Sequence, residues 1–229
     1  VICRMKYIVV IPARIGSKRF PNKNIYPLNG LPLISHSVEY ALNNFDENLI
    51  WVNTDSSLIS DVVNCYGINV FYRPEVLGND YSTTADVLKN HVENLIQNGD
   101  IFDAVILLQP TNPLRGEYLL KNAIVEFEKN KRSSLATFSK LEKKYGSIEN
   151  EHFYPKNYTP GQRTQDLDAD YFEDGLIYIT KVESILKGEI ITSDVYPLIN
   201  EHIYSNVDID YYEDLLYAEF LIKNKKNNE

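Results

Sequence analysis

The alternation of short apolar runs with longer amphipathic segments is the feature that most constrains the fold of this chain. Both faces of the apolar runs are hydrophobic, as in strands that are covered on two sides. These runs occupy residues 7–11, 49–53, 68–72 and 103–109. Helical spacing of apolar residues fills the intervals, at residues 31–42, 84–97 and 116–130. The sequence therefore predicts an α/β protein with a mostly parallel sheet between helices.

The second half of the chain is less regular. Further strands are predicted at residues 134–139 and 175–180, and residues 202–210 are interpreted as a strand that precedes a last helix from Tyr211 to about Lys223. Charge runs, prolines and tyrosines interrupt the pattern between residues 140 and 170. We therefore expect one domain, residues 5–225, with residues 140–170 as an inserted segment.

Composition excludes several classes of protein. A formal net charge of −9 over 229 residues argues against general nucleic-acid binding. No apolar run approaches the length of a membrane span, so no membrane contact is expected. With only two cysteines, Cys3 and Cys65, a cytoplasmic location fits best, and we interpret Cys65 as a core residue. Because Met5 directly precedes the first strand, we expect translation to start there, with residues 1–4 as an upstream remnant or an alternative start.

A basic segment follows the first strand. Residues 11–24 contain no acidic side chain. Their four cations are Arg14, Lys18, Arg19 and Lys23. In α/β sheets, ligands bind beyond the carboxyl ends of the strands, where this segment lies. Ser17 adds a hydroxyl, and Gly16 is interpreted as a tight-turn residue. The spacing matches neither a P-loop nor the dinucleotide-binding glycine pattern, so the segment predicts a site for a small anion without naming it.

Two carboxylates lie near the end of the chain. Residues two apart on a strand share a face, so Asp208 and Asp210 are predicted to point the same way while Ile209 points back. Carboxylates this close repel each other unless a cation or a shared proton intervenes, and oxygen ligands of this kind suit Mg²⁺. Spacing alone leaves a second role open, in which one aspartate caps the helix that begins at Tyr211 and the other is solvated.

The fourth strand ends in a stiff turn. Pro110 and Pro113 restrict the backbone of residues 107–115, which directs Gln109 toward the cleft. This signal is weak by itself. The four histidines, at positions 36, 91, 152 and 202, form no metal-ligand spacing.

Taken in order, seven segments resemble the acylneuraminate cytidylyltransferases, which include CMP-sialic acid synthetases and relatives for legionaminic and pseudaminic acids. These segments are IPARIGSKRFPNKN, LNGLPLISHSVEYAL, VNTDSSLI, YRPEVLGNDYSTTADVL, LLQPTNPLR, DGLIYIT and NVDIDYYEDL. The resemblance spans about residues 6–217 and is weakest between residues 140 and 170. The PNKN ending of the first segment distinguishes the chain from the related CMP-Kdo synthetases.

The resemblance implies a Rossmann-like nucleotidyltransferase fold, CTP and Mg²⁺ at the site, and a homodimer with shared active sites in which residues 140–170 reach the partner. The residues implied to hold the triphosphate are Arg14, Ser17, Lys18 and Lys23. Cytidine would contact Asn24, Arg73, Thr83 and Thr84. The sugar acid would contact Gln109, Arg163, Gln165 and Asp174, although the family usually has asparagine where Asp174 stands. Asp208 and Asp210 would bind the metal, and together with Arg14 and Lys23 they would form the catalytic set.

The implied reaction transfers CMP from CTP to the anomeric C2 hydroxyl of a nine-carbon 2-keto sugar acid and releases pyrophosphate. Which nonulosonic acid is used stays open, and no general base is identified. Three alternatives remain: a CMP-Kdo synthetase, a sugar-1-phosphate nucleotidyltransferase, and a non-catalytic nucleotide-binding homologue of the same fold.

Overall fold

The fold is built on one large sheet that separates two layers of helices. The computed structural model describes residues 5–79 and 81–224. The proposed start at Met5 concerns residues 1–4, which lie outside the described residues, as does residue 225 at the end of the expected domain. The strands are β1 (Tyr7–Ala13), β2 (Pro27–Leu28), β3 (Leu31–Pro32), β4 (Ile50–Thr54), β5 (Asn69–Tyr72), β6 (Ala104–Leu107), β7 (Ser134–Leu141), β8 (Gly146–Glu149), β9 (His152–Pro155), β10 (Asp170–Lys181) and β11 (Tyr196–Ile199). The helices are α1 (Leu33–Leu42), α2 (Ser57–Val63), α3 (Thr84–Gln97), α4 (Leu119–Asn130), α5 (Val182–Ile185) and α6 (Tyr212–Lys223).

The central sheet has seven strands in the order β11-β7-β10-β6-β1-β4-β5. Pairing is parallel for β5-β4-β1-β6 and for β7-β11, and β10 runs antiparallel to both of its neighbours. The prediction of a mostly parallel sheet between helices is therefore confirmed. The sequence did not predict the direction of β10, because an apolar run looks the same in a parallel and in an antiparallel strand.

Alternating residues of the central strands contribute to two hydrophobic cores, one on each face of the sheet. Val9 and Ile11 of β1 pack in the core that α1, α2 and α4 cover. Ile8 and Val10 pack in the core on the opposite face, against α3 and α5. Burying both faces of β1 explains why its sequence carries no polar stripe.

A third apolar cluster lies beyond the sheet and anchors the two segments that the sequence singled out. Phe20 of the basic segment packs in the same cluster as Val207 and Ile209, together with residues of α6. The basic segment and the aspartate segment are therefore held side by side by apolar contacts.

Several sequence-based boundaries need correction. The helix predicted from residue 31 begins at Leu33, because Pro27–Leu28 and Leu31–Pro32 pair as a small hairpin. The helix predicted from residue 116 begins at Leu119. Strand β11 was not predicted, since it is a short edge strand that contains a proline.

Residues 140–170 and 202–210 also differ from expectation. The first range is not irregular throughout, because β7 extends to Leu141 and β8 pairs with β9 as a separate two-stranded sheet. The second range is not a strand: a short 3-10 helix at Ile203–Asn206 is followed by unpaired extended chain. Cys65 is exposed rather than part of the core. The chain turns tightly at Gly16 as predicted, because the Ser17 N–H donates to the Ile15 carbonyl at 2.9 Å, but the position needs no left-handed backbone angle and an added Cβ would meet no atom within 4 Å.

Candidate active site

A basic cavity of about 620 Å³ opens beyond the carboxyl ends of β1, β5 and β6. It gathers every residue that the resemblance assigns to the nucleotide except Thr83. Its polar lining consists of Arg14, Ser17, Lys18, Arg19, Lys23, Asn24, Arg73, Ser82, Thr84, Gln109, Thr111 and Asp210. Five cations in one cavity of an acidic protein favour a polyanionic ligand.

Lys23 ties the basic segment to the aspartate segment. Its ammonium group is almost fully buried and donates to the carbonyl of Ile209 at 2.6 Å and to the Asp210 carboxylate at 2.9 Å. The guanidinium of Arg19 approaches the same carboxylate at 2.6 Å. Asp210 is therefore balanced by two cations. Sequence reasoning counted Arg19 among the basic side chains but gave it no role, because its partner is distant in the chain.

Asn24 and Arg73 are fixed from behind by backbone groups. The Asn24 amide donates to the carbonyl of Arg14 at 2.8 Å, and Arg73 donates to the carbonyl of Asn53 at 2.5 Å. Burial lowers the pKa of the Arg73 guanidinium, with a smaller contribution from Arg14 and an opposing one from Asp55. Both side chains are thus oriented before any ligand arrives.

Thr83 has a different role from the one that the resemblance implies. It is the N-cap of α3, where its hydroxyl accepts from the Asp86 backbone N–H at 3.1 Å and the Asp86 carboxylate accepts from the Thr83 N–H at 3.0 Å. This reciprocal capping box engages its side chain. The neighbouring Ser82 and Thr84 line the cavity instead, and Ser82 was not singled out from the sequence.

A second cavity of about 700 Å³ adjoins the first, and Gln109 lines both. Its polar lining includes Asn112, Lys140, Lys143, Glu173, Asp174, Tyr178, Asn206 and Asp208. Lys140 and Lys143 supply positive charge at one side of this cavity. Gln109 therefore stands at the junction, as the turn after the fourth predicted strand suggested.

The two aspartates face different cavities from one extended segment. Asp208 lines the second cavity and Asp210 the first, while Val207 and Ile209, which alternate with them along the chain, are buried. The inward orientation of Ile209 is confirmed, although the segment is not a strand. The carboxylate of Asp214 accepts from the backbone N–H groups of Asp210 and Tyr211 at 2.9 and 2.8 Å, so Asp214 caps α6 and the alternative role for the pair is not taken.

The turn after β6 holds this segment in place. The Ile209 N–H donates to the carbonyl of Thr111 at 2.8 Å. The buried Asn112 amide donates to the carbonyls of Asp174 and Val207 at 3.0 and 3.1 Å. Gly175 has a φ of +75°, and a Cβ added to it would lie 2.8 Å from the Asn112 side-chain oxygen. Asn112 is thus a bridge between β10 and the aspartates that sequence reasoning missed.

The surroundings of Asp208 raise the pKa of its carboxyl group. Partial burial in the cavity wall raises the pKa of its carboxyl, and a hydrogen bond from Thr111 opposes this rise more strongly than the nearby charge of Asp210 adds to it. Among the described residues, no group of three His, Cys, Asp or Glu side chains forms a metal site. The carboxylates that line the two cavities are Glu142, Glu173, Asp174, Asp208 and Asp210.

Asp174, Arg163 and Gln165 are placed differently from one another. Asp174 lines the second cavity but is almost fully buried, and it accepts from the hydroxyls of Thr137 and Ser139 and from the Asn200 amide, the last two at 2.8 and 3.2 Å. Arg163 is exposed and pairs with Asp166 at 2.7 Å. Neither Arg163 nor Gln165 lines either cavity of the described chain.

An α/β sheet with a basic loop beyond the carboxyl ends of its strands is the arrangement found in nucleotide-binding α/β proteins. The family model described as cytidylyltransferase matches residues 8–227, and the chain belongs to this family. No helix in the described part of the chain is long and apolar enough to cross a membrane.

Three curated relatives resemble the chain along nearly all of its length. An N-acylneuraminate cytidylyltransferase from Streptococcus agalactiae is 32% identical over 97% of this chain, which spans only 56% of that relative. A pseudaminic acid cytidylyltransferase from Campylobacter jejuni is 34% identical over 96% of this chain and 97% of its own length. A CMP-N,N'-diacetyllegionaminic acid synthase from Legionella pneumophila is 35% identical with the same coverage.

The fold also matches a solved structure of a CMP:2-keto-3-deoxy-manno-octonic acid synthetase complexed with CTP. The TM-score is 0.69 at 17% identity, over 96% of this chain and 99% of that one. This likeness supports the Rossmann-like nucleotidyltransferase architecture.

Proposed function

We propose that the protein transfers CMP from CTP to the anomeric C2 hydroxyl of a nonulosonic acid, a nine-carbon 2-keto sugar acid, and releases pyrophosphate. The observation that carries the proposal is the junction of the two cavities at Gln109, Asp208 and Asp210. A basic cavity suits a nucleoside triphosphate, and in the adjoining cavity Lys140 and Lys143 would meet the carboxylate of a sugar acid. The names of the three curated relatives support the same reaction class.

The basic cavity acts on the triphosphate through charge and position. Arg14, Lys18 and Lys23 would bind phosphate oxygens, with Ser17 as an additional donor. When the bond between the α-phosphorus and the bridging oxygen breaks, negative charge builds on pyrophosphate, and Arg14 and Lys23 would neutralise it. Such preorganised charges supply most of the catalysis in phosphoryl-transfer sites. Asn24, Arg73 and Thr84 would hold the cytidine.

The carboxylate pair fits a divalent cation. Two hard oxygen donors in adjacent cavities match the ligands that Mg²⁺ prefers, and a cation would relieve the repulsion that contributes to the raised pKa of Asp208. We propose that Asp208 and Asp210 hold Mg²⁺. When bound there, the metal would supply positive charge to the phosphate oxygens and to the attacking hydroxyl.

The second cavity would orient the sugar acid. Gln109 reaches both cavities and would bind the sugar beside the α-phosphate. Lys140 and Lys143 are the cations available within the chain for its carboxylate. The C2 oxygen would then form a bond to the α-phosphorus as the bond to pyrophosphate breaks on the opposite side, and the hydroxyl proton would leave to solvent.

The active unit is proposed to be a homodimer with shared sites. Residues 140–170 include the β8–β9 hairpin, on which Ile148, Phe153 and Tyr154 expose large apolar surfaces. A second copy of the chain is the occupant that suits this face, because Arg163 lies outside its own cavities and its planar guanidinium suits a carboxylate. Arg163 of the partner subunit would complete the sugar cavity, and Gln165 lies beside it.

The test of the proposed function is pyrophosphate release from CTP and Mg²⁺ with a panel of acceptors. The panel contains sialic, legionaminic and pseudaminic acids, Kdo and a sugar 1-phosphate. We expect release with CTP and at least one nonulosonic acid, with a CMP-sugar in the mass spectrum and far less release with UTP. Release with Kdo alone or with the sugar phosphate alone would favour those alternatives. CTP binding with no turnover on any acceptor would indicate a non-catalytic homologue.

A further inference from the structure

A group of four side chains lies beneath the basic cavity, three on one face of the sheet and His91 on the helix that covers this face. Asn53 of β4 is aligned with Phe71 of β5, and Arg73 follows Phe71 by two residues, so all three share the face that α3 covers. The Phe71 ring stacks on the imidazole of His91 in α3, with 4.3 Å between ring centroids. Val87, one helical turn before His91, already lines the basic cavity with Arg73.

The polar atoms of this group find no hydrogen-bond partner among the described residues. They are both side-chain atoms of Asn53, the Nε of Arg73 and both ring nitrogens of His91. Asn53 and His91 are fully buried and Arg73 is nearly so. Buried polar groups are nearly always satisfied, by protein or by ordered water. Without a water molecule here, five buried polar atoms would lack a hydrogen-bond partner.

The three side chains offer three donors and two acceptors, and one water molecule can bridge Arg73 Nε, one amide atom of Asn53 and one ring nitrogen of His91. Arg73 Nε and the Asn53 amide nitrogen donate, the Asn53 oxygen accepts, and a neutral imidazole supplies one donor and one acceptor. A water can accept two hydrogen bonds and donate two. Burial, with a smaller contribution from Arg73, lowers the pKa of His91 to about 3, so its imidazole is neutral and does not repel the guanidinium at pH 7.

We propose that Asn53, Arg73 and His91 enclose an internal water site below the basic cavity, and that His91 is a positioning residue that fixes the Arg73 guanidinium through this water. The Nη2 of Arg73 is already held by the Asn53 carbonyl at 2.5 Å. A second contact at Nε would stop rotation of the planar group. The ligand-facing side of Arg73 would then be presented in one orientation.

The kinetic test of this inference rests on the proposed function. His91→Phe keeps the stacked ring but removes both nitrogens, and His91→Gln returns an amide donor and acceptor. We expect His91→Phe to raise the KM for CTP about tenfold, the effect of one lost hydrogen bond to a charged group. The KM for the sugar acid and kcat should change less than about threefold, and His91→Gln should recover most of the CTP affinity. An unchanged KM for CTP, or an equal rise in both KM values, would overturn the positioning role.

A second measurement needs neither activity nor a variant. A high-resolution crystal structure of the unchanged protein should contain one water within about 2.7–3.2 Å of polar atoms of Asn53, Arg73 and His91. An empty space, or direct contacts among the three side chains, would overturn the water site. If the protein turns over no CTP with any acceptor, the proposed function fails, whereas the crystal structure still tests the water and calorimetric CTP binding to His91→Phe still tests the positioning.

Discussion

Asp210 connects the cations of the basic cavity to the proposed metal site. Its carboxylate accepts from Lys23 and Arg19, and it is one of two oxygen donors for the proposed metal. We predict that Asp210→Asn abolishes turnover while the protein stays folded, at a cost of several kcal/mol in transition-state stabilisation. Pyrophosphate release and circular dichroism measure the two effects, and Asp61→Asn on the exposed face of α2 is the matched control. Near-normal turnover of Asp210→Asn at saturating Mg²⁺ would contradict the metal assignment.

For Asp208→Asn, we predict that activity and stability change in opposite directions. Its pKa is raised in the folded protein above the ordinary value of 3.8, chiefly by burial. At a pH between the ordinary pKa and the raised pKa, the folded state holds a proton that the unfolded state releases. The free energy of unfolding therefore falls as pH rises through this range and stays lower above it. Asp208→Asn removes this partly desolvated charge. We expect it to raise the Tm at pH 7 while activity is lost, with the gain in Tm disappearing below the ordinary aspartate pKa. A lower Tm at pH 7 would mean that the carboxylate is stabilised by its surroundings.

Lys23 is predicted to act on the chemical step as well as on binding. It is buried between the two segments, and its charge lies where pyrophosphate would leave. Losing one preorganised charge typically costs about 10²- to 10³-fold in rate. Lys23→Ala should lower kcat by this factor and also weaken CTP affinity, whereas the exposed Lys129→Ala should behave as the unchanged protein. If only the KM for the sugar acid changed, Lys23 would act on the sugar acid and not on the triphosphate.

At the scale of single residues, the sequence identified charged groups better than their partners. The cations of residues 11–24 and the two aspartates were visible as patterns, and the structure brings them together in one place. The contact of Arg19 with Asp210 and the cap formed by Asp214 depend on how distant segments pack. No local spacing encodes those contacts.

The turn between β6 and α4 is the structural element that fixes the aspartate segment. Asn112 in this turn donates to two backbone carbonyls, one before Gly175 and one before Asp208. We predict that Asn112→Ala lowers the free energy of unfolding by about 2 kcal/mol, because both carbonyls lose a buried donor. It should also raise the Mg²⁺ concentration for half-maximal activity several-fold. Urea denaturation and metal titration measure these effects, with the exposed Asn98→Ala as control. A stability loss with an unchanged metal requirement would make Asn112 a purely structural residue.

At the scale of elements, periodicity predicted the existence of strands and helices and failed on their ends and directions. Helix α3 was predicted with its observed bounds, because its capping box and apolar stripe are both local signals. The antiparallel direction of β10 is set by pairing with β6 and β7, which no local pattern reports. Residues 207–210 alternate between buried and open positions without belonging to a sheet, since the third apolar cluster replaces a neighbouring strand.

The whole molecule is expected to work as a pair. Within the proposed dimer, Arg163→Ala should raise the KM for the sugar acid and leave CTP binding nearly unchanged, since this side chain lies outside the basic cavity of its own chain. At a sugar-acid concentration well below the raised KM, mixing Arg163→Ala subunits with Asp210→Asn subunits should give more activity than either variant alone, because one site per mixed dimer is intact. Sedimentation of the active protein as a monomer, or mixtures no more active than either variant alone, would rule out shared sites.

The most direct test of the central claim is a crystal structure with CTP and a sugar acid that lacks the anomeric hydroxyl. The claim is that the two adjoining cavities are the nucleotide and sugar halves of one site. We predict the triphosphate against Arg14, Lys18 and Lys23, the sugar ring in the cavity lined by Asp208, and the C2 carbon facing the α-phosphorus beside Gln109. A triphosphate bound elsewhere, or a sugar acid outside the second cavity of either subunit, would contradict the account.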